Sequence, residues 1–380
     1  MDKKHNLFSE CTRVVVKAGS GVLTGTAGLN RSAVSSISRD ICSLMDNNVE
    51  VIFVSSGALA SGVRKLGLKQ RPADLPTRQA VAATGQAGLI MAYEKAFGRH
   101  HRQVAQILLT SDDLASRKRY LNARNTINTL LHWQVVPIIN ENDTVAVEEI
   151  KFGDNDNLAA MITLLMDADV LVNLTDIDGL YDKDPRAHAD ARLLARVSSI
   201  SKTLEKAAGE IPGPLGTGGM LSKIKAARKL RSAGVPMVIA NGRRKNILTD
   251  LFAGKQKGTY FEPGSKKLPS RKRWIAFSCS PKGSLTLDDG AVRAIIKGGK
   301  SLLPGGIIAV AGEFGVGSPV ELETRAGKRL GVGLVNYGAT EIRTIMGLQS
   351  TQIDKILGHR PYDEVIHRNN LVVSRDDNFC

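Results

Sequence analysis

Asn140-Glu-Asn-Asp-Thr-Val-Ala-Val-Glu-Glu-Ile-Lys-Phe-Gly-Asp-Asn-Asp-Asn-Leu158 is the stretch whose reading decides the fold. It follows an apolar run at 135–139 that reads as a buried strand. It ends where Leu158, Met161, Ile162 and Leu165 take up the spacing of one helix face. Asp143, Asp154, Asn155 and Asp156 therefore lie between a strand exit and a helix start, where open α/β sheets bind ligands. Asp and Asn also cap helices and build turns, but one or two suffice for that. Carboxylates packed together repel, by about 4 kcal/mol for a pair ~4 Å apart at an effective dielectric of about 20. A cation belongs among them: a metal, a lysine or a substrate ammonium group.

Outward from this stretch, apolar runs alternate with helical patterns from Val14 to about Tyr260. That alternation predicts a parallel sheet covered on both faces. The first strand runs straight into Lys17-Ala18-Gly19-Ser20-Gly21, where glycines admit a close backbone turn and Lys17 offers a cation. Gly19, Gly21 and Gly25 do not make a dinucleotide fingerprint. The third glycine is late, and the next strand ends in Ser55-Ser56-Gly57 instead of an acid. Ser55 and Ser56 stand at a helix N-terminus, a place that favours an anion or simply an N-cap. The glycine- and proline-rich stretch 211–219 opens into a helix with Lys223 in its first turns, which suits a lid over phosphates. It is not a P-loop, and Gly299-Lys300-Ser301 lacks the leading glycine of one.

Residues 263–273 break the rhythm with prolines and the basic run Lys266, Lys267, Arg271, Lys272 and Arg273, which reads as a linker or as a nucleic-acid patch. Beyond it, short apolar runs at 275–277, 284–287, 307–311, 320–322 and 331–335 predict a small, mostly-β domain. The expected division is therefore 1–262, a linker at 263–273, 274–368 and a tail at 369–380. The net charge of +15 points to an anionic partner or substrate. No apolar run approaches a membrane span and no secretory signal opens the chain. The four cysteines are scattered, so a reduced, cytoplasmic protein is expected.

Six motifs resemble the amino-acid kinase family, and within it the branch that opens proline synthesis. They are Val15-Val-Lys-Ala-Gly-Ser20, Ser55-Ser-Gly-Ala58, Leu121-Asn-Ala-Arg124, Asn140-Glu-Asn-Asp143, Gly153-Asp-Asn-Asp-Asn-Leu158 and Gly216-Thr-Gly-Gly-Met220 followed by Ser222-Lys223. Asp289-Gly-Ala291 and Ser301-Leu-Leu-Pro-Gly-Gly306 resemble the PUA domain that many bacterial members carry. The resemblance implies a three-layer αβα sandwich with a mainly parallel sheet plus a PUA-like C-terminal domain. It implies transfer of the ATP γ-phosphoryl group, with Mg²⁺, to the side-chain carboxylate of L-glutamate. Under it, Lys17 and Lys223 cradle the phosphoryl group and Asp156 holds the lysines. Asp143 and Asn155 receive the ammonium end of glutamate, Ser56 its carboxylate, and Asp154 assists. Gly19, Ser20, Thr175, Asp176, Thr217, Gly218, Gly219, Met220, Leu221 and Ser222 join the two lysines around the nucleotide.

Ala18 and Gly21 depart from the family pattern. Relatives often carry a larger apolar residue and a hydroxyl residue there, so at Gly21 only a backbone N–H is available to phosphate. The resemblance further implies a homo-oligomer (tetramer or dimer), feedback by proline, and a functional partnership with a glutamyl-phosphate reductase. Two other readings stand beside it. One is a relative that phosphorylates a different carboxylate, carbamate or phosphate acceptor; the other is an RNA-binding protein using the PUA-like domain.

Overall fold

The computed structural model describes residues 8–25, 28–145, 155–185, 187–201, 204–205, 219–264, 269–277 and 279–373. Asp154, Thr217 and Gly218, named above as site residues, lie outside them, as does most of the glycine-rich stretch. The chain divides into two compact units, 1–267 and 268–380.

In the first unit the strands are β1 (Arg13–Ala18), β2 (Thr24–Gly25), β3 (Gly28–Leu29), β4 (Glu50–Val54), β5 (Val104–Leu109), β6 (Val136–Glu141), β7 (Val170–Thr175), β8 (Arg196–Val197), β9 (Met237–Asn241) and β10 (Thr259–Phe261). Eight of them form one sheet in the order β5-β6-β4-β1-β7-β9-β10-β8, and β2 pairs with β3 separately. Every neighbouring pair in the large sheet is parallel except β9 with β10. Its central strands read as unbroken apolar runs because both faces are covered. The helices are α1 (Ser20–Leu23), α2 (Arg31–Asp46), α3 (Ala58–Lys65), α4 (Leu75–Gly98), α5 (Ser111–Ala115), α6 (Arg117–His132), α7 (Asn155–Leu165), α8 (Met220–Ser232) and α9 (Ile247–Phe252).

Alternation along β1 divides the layers. Val14, Val16 and Ala18 join a core with Ile37 and Ile41 of α2, Tyr93 and Phe97 of α4, and Leu248 and Leu251 of α9. Helix α7 crosses β1, β7, β6 and β4. Lys17, out of phase with those three residues, reaches α7 instead. Helix α7 is buried on almost its whole circumference, from Leu158 through Leu165, which fixes its first turn against the strand ends. Gly57 supplies the sharp turn from β4 into α3: its φ of 99° lies in the left-handed region that side chains avoid.

The second unit holds a five-stranded sheet in the order β12-β11-β13-β14-β15, with β11 (Gly283–Leu287), β12 (Ile307–Gly312), β13 (Pro319–Thr324), β14 (Arg329–Leu334) and β15 (Leu371–Val373). Only β11 and β13 run parallel. Its helices are α10 (Ser270–Phe277), α11 (Asp289–Ile296), α12 (Ala339–Ile345) and α13 (Ile353–Leu357). Leu285, Leu287, Val320, Leu322, Tyr337 and Ile342 belong to a separate core. The run at 275–277, expected as a strand, ends helix α10, because three apolar residues are too few to reveal a period. Leu371–Val373, expected in a tail, extends the sheet beside β14.

Candidate active site

Two adjacent parallel strands and two helix starts converge around Asp156, in the first turn of α7. Lys17 comes from β1, Asn173 from β7, and Ser222 and Lys223 from the first turn of α8. Register pairs Lys17 with Asn173, so both reach the same carboxylate from adjacent strands. Lys17 Nζ donates to Asp156 Oδ1 at 2.5 Å and Asn173 Nδ2 to the same oxygen at 2.7 Å. Ser222 Oγ donates to Oδ2 at 2.6 Å and Lys223 Nζ to Oδ2 at 3.0 Å. Asp156 is 0% exposed, and Lys17 and Lys223 are 4% and 6% exposed. Burial opposes ionisation of Asp156. The charges of Lys17 and Lys223 and the bonds from Lys17 and Ser222 overcome it and hold the carboxyl well below its usual range. Among the described residues, two ammonium groups thus bear on one carboxylate, held in place before any ligand arrives.

A second cluster adjoins the first through Asn155. Its Nδ2 reaches Ser55 O at 3.0 Å, Ser56 Oγ at 2.9 Å and Asn140 Oδ1 at 3.0 Å. Asn140 Oδ1 also accepts from the Glu141 amide at 2.9 Å, and Ser55 Oγ bonds Tyr93 OH at 2.8 Å. Three buried amide atoms, Asn140 Nδ2, Asn155 Oδ1 and Asn173 Oδ1, have no hydrogen-bond partner among the described residues. Buried polar atoms in native proteins are nearly always paired, so unpaired ones beside a charged cluster mark where a polar ligand belongs.

Asp143 has different neighbours. Burial raises its carboxyl above the ordinary range despite the opposing charges of Arg78 and Arg71. The described residues of the acidic stretch thus separate. Asn155 bonds Ser56, Asp156 bonds the lysines, and Asp143 faces the arginines.

The remaining predicted residues surround the first cluster. Gly19 caps α1 and lies under Lys17, since a Cβ there would sit 3.5 Å from Nζ. Ser20 opens α1. Thr175 ends β7, and its hydroxyl donates to Asp176 Oδ1 at 3.2 Å. A Cβ on Gly21 would meet Asp176 Cγ at 3.1 Å. Gly219 caps α8, its carbonyl accepts from Ser222 Oγ at 2.9 Å, and Met220 and Leu221 follow in the first turn. Sequence reasoning missed Asn173 and Asn140. A lone amide inside the apolar strand Val170–Thr175 was the available signal for Asn173.

The described residues do not form a cage for a resident metal. They contain no group of three His, Cys, Asp or Glu side chains placed to hold one. Both oxygens of Asp156 are also already engaged by four donors.

Residues 12–241 match the amino acid kinase family, and residues 283–357 match the PUA domain. The chain belongs to the amino acid kinase family. Among the relatives of this family member, the glutamate 5-kinase of Syntrophus aciditrophicus is 47% identical over 98% of this chain and 97% of its own length. That of Geobacter metallireducens is 50% identical, covering 97% of this chain and 99% of its own. Similar solved structures include the UMP kinase from Bacillus anthracis, with a TM-score of 0.45 and 15% identity over 66% of this chain and 96% of that one. An isopentenyl phosphate kinase gives 0.47 at 17% identity over 66% and 99%. The place of this amino acid kinase in its family rests on sequence, not on those scores.

Proposed function

We propose that the protein transfers the γ-phosphoryl group of ATP to the side-chain carboxylate of L-glutamate, giving γ-glutamyl phosphate and ADP, the opening step of proline synthesis. The observation that carries this reading is the Lys17–Asp156–Lys223 arrangement beside three unpaired buried amides. The likeness to glutamate 5-kinases along nearly the whole chain supports the choice of acceptor.

An oxygen of the glutamate carboxylate attacks the γ-phosphorus as the bond to the β,γ-bridging oxygen breaks, and ADP leaves. Both reactants are anions, so the site's contribution is fixed positive charge and in-line placement. Lys17 and Lys223 bear on the transferred phosphoryl oxygens from opposite sides, and Asp156 keeps both amines in place without neutralising both. Magnesium enters with ATP as part of the nucleotide substrate, consistent with its habit of binding through phosphates more than through protein cages. Asn155 Oδ1, an open acceptor, suits the α-ammonium group of glutamate. Asn140 Nδ2, an open donor, suits a carboxylate, with Ser56 beside it. Asp143 supplies the counter-charge for the ammonium group. Asp154, Thr217 and Gly218 are assigned to substrate and nucleotide by family pattern alone.

ADP release measured with glutamate, aspartate and N-acetylglutamate side by side tests the reading. Turnover should be largest with glutamate. Preference for either other acceptor, or none for any, overturns the assignment. A second reading, RNA binding by the second unit, is favoured by its PUA match. A steep loss of RNA affinity with added salt is its signature.

A further inference from the structure

Six residues beyond Lys223 on α8, Lys229 carries an ammonium group held between two helices with no carboxylate partner among the described residues. Its Nζ donates to Asn157 Oδ1 of α7 at 2.7 Å and lies 3.4 Å from Met161 Sδ. Asn157 follows Asp156 directly. Helices α7 and α8 are therefore tied at two neighbouring residues, by Ser222 and Lys223 at Asp156 and by Lys229 at Asn157.

The second tie is half-buried, so the ammonium group is partly stripped of water. Burial pushes the Lys229 ammonium down to about 8. No ionised neighbour among the described residues offsets that cost. On α7 the one titratable side chain is Asp156, already bonded to Lys17, Lys223 and Ser222. Strand β9, also against α8, has none. On α8 itself, Arg228 pairs with Glu205 at 2.7 Å, Arg231 donates to Glu262 O at 2.8 Å, and Lys225 is exposed. An apolar side chain of similar length would fill the seam at lower cost. The bond it makes instead grips the residue that follows the central carboxylate, on the same helix pair that carries Lys223.

We propose that Lys229 is a positioning residue for phosphoryl transfer: by bonding Asn157 across the α7–α8 seam, it fixes the angle at which Lys223 meets Asp156 and the nucleotide. The claim rests on the kinase reading above. It gives activity and stability opposite slopes with pH. The folded chain releases this proton at about 8 and the unfolded chain at the ordinary 10.5. Between those values the unfolded chain holds the extra proton, so the Lys229 contribution to stability improves as pH rises. The tie loses its charge over the same interval, and turnover falls.

The experiment compares the full chain with Lys229→Met and Lys229→Arg. ADP release is followed from about pH 7 to about pH 10, and thermal melts are run with and without ATP. Lys229→Met should lower kcat ten- to a hundred-fold, about the scale of a small misplacement of a catalytic group. It should leave the KM for glutamate near the parent value, raise the melting temperature and abolish the fall in rate above pH 8. Lys229→Arg should recover part of the rate. Parent kcat and an unchanged alkaline limb in Lys229→Met overturn the proposal. Should that variant not fold, Asn157→Ala breaks the same bond from α7 and is judged by the same kcat and limb. If the parent protein turns over no glutamate, the function reading fails instead. The ATP-induced thermal shift, expected smaller in Lys229→Met, then still decides the positioning role.

Discussion

Asp156 and Asp143 lie thirteen positions apart in one acidic stretch, and the fold treats them oppositely. Asp156 is fully enclosed yet ionised far below its usual range, because two lysines, a serine and an asparagine satisfy it. Asp143 is less enclosed yet shifted upward, because burial outweighs Arg78 and Arg71. The difference separates two uses of a carboxylate. A satisfied one is part of the scaffold and fixes other groups, here two cations. An under-compensated one has free energy to gain from an incoming cation, so it is suited to binding.

Asp156→Asn attacks the satisfied acid and should have the largest effect. It removes the carboxylate that both buried ammonium groups share, a loss on the order of 3–5 kcal/mol by analogy with other broken buried pairs. Urea unfolding should show the drop and ADP release should be near background. The parent protein's share of this stability is present above the unfolded value of 3.8 and is lost as pH falls through the lower folded value. A stable, active Asp156→Asn protein would remove the distinction between the two acids.

Lys17→Ala and Lys223→Ala come next. On the proposed function, each removes one charge partner of the transferred group and should cut kcat by on the order of 10²-fold or more. Each leaves Asp156 with one lysine, so melting temperatures should fall less than in Asp156→Asn. Near-parent turnover in both variants would show that the cations serve the carboxylate alone.

Much of this was legible in the sequence. Strand–helix alternation pointed to the parallel sheet, and the density of acids around Asp156 called for a cation. The family resemblance paired Lys17 with Lys223, and the fold brings both amines to Asp156. The orientation of individual side chains was not legible. Whether Asp143 would face lysines or arginines depends on where the turn after β6 lies against Arg71 and Arg78 of a distant segment. Asn173 escaped notice because its role comes from the register between β1 and β7, a tertiary fact. The Ile275–Phe277 run shows the same limit at the level of elements, since adjacent buried residues fit a short strand and a helix end equally well.

Asp143→Asn tests the other side of the comparison. The KM for glutamate should rise about tenfold, the scale of a lost charge-assisted contact, with kcat and ATP affinity little changed. Because the folded carboxyl titrates above the ordinary 3.8, the contribution of its protonated form to stability is full below that value and disappears as pH rises through the folded one. The amide should therefore melt at or above the parent temperature near neutral pH. In the parent protein the KM for glutamate should climb on mild acidification, and that climb should be missing in Asp143→Asn.

Gly21→Ser should have the smallest effect, and its sign is informative. A Cβ at this position would lie 3.1 Å from Asp176 Cγ and 3.2 Å from Oδ2, so the carboxylate has to give way by a few tenths of an ångström. It can, because the contact is with the end of a side chain whose other oxygen accepts from the Thr175 hydroxyl at 3.2 Å. The displacement of Asp176 predicts a KM for ATP raised a few-fold, with the KM for glutamate unchanged, since the second cluster is built from other residues. A lower KM for ATP would mean that the added hydroxyl reaches a phosphate and outweighs the disturbance at Asp176. The glycine would then be a deficiency at the nucleotide end, not the space that lets Asp176 lie close to the backbone, and binding would be improvable there without touching either of the two contrasted acids.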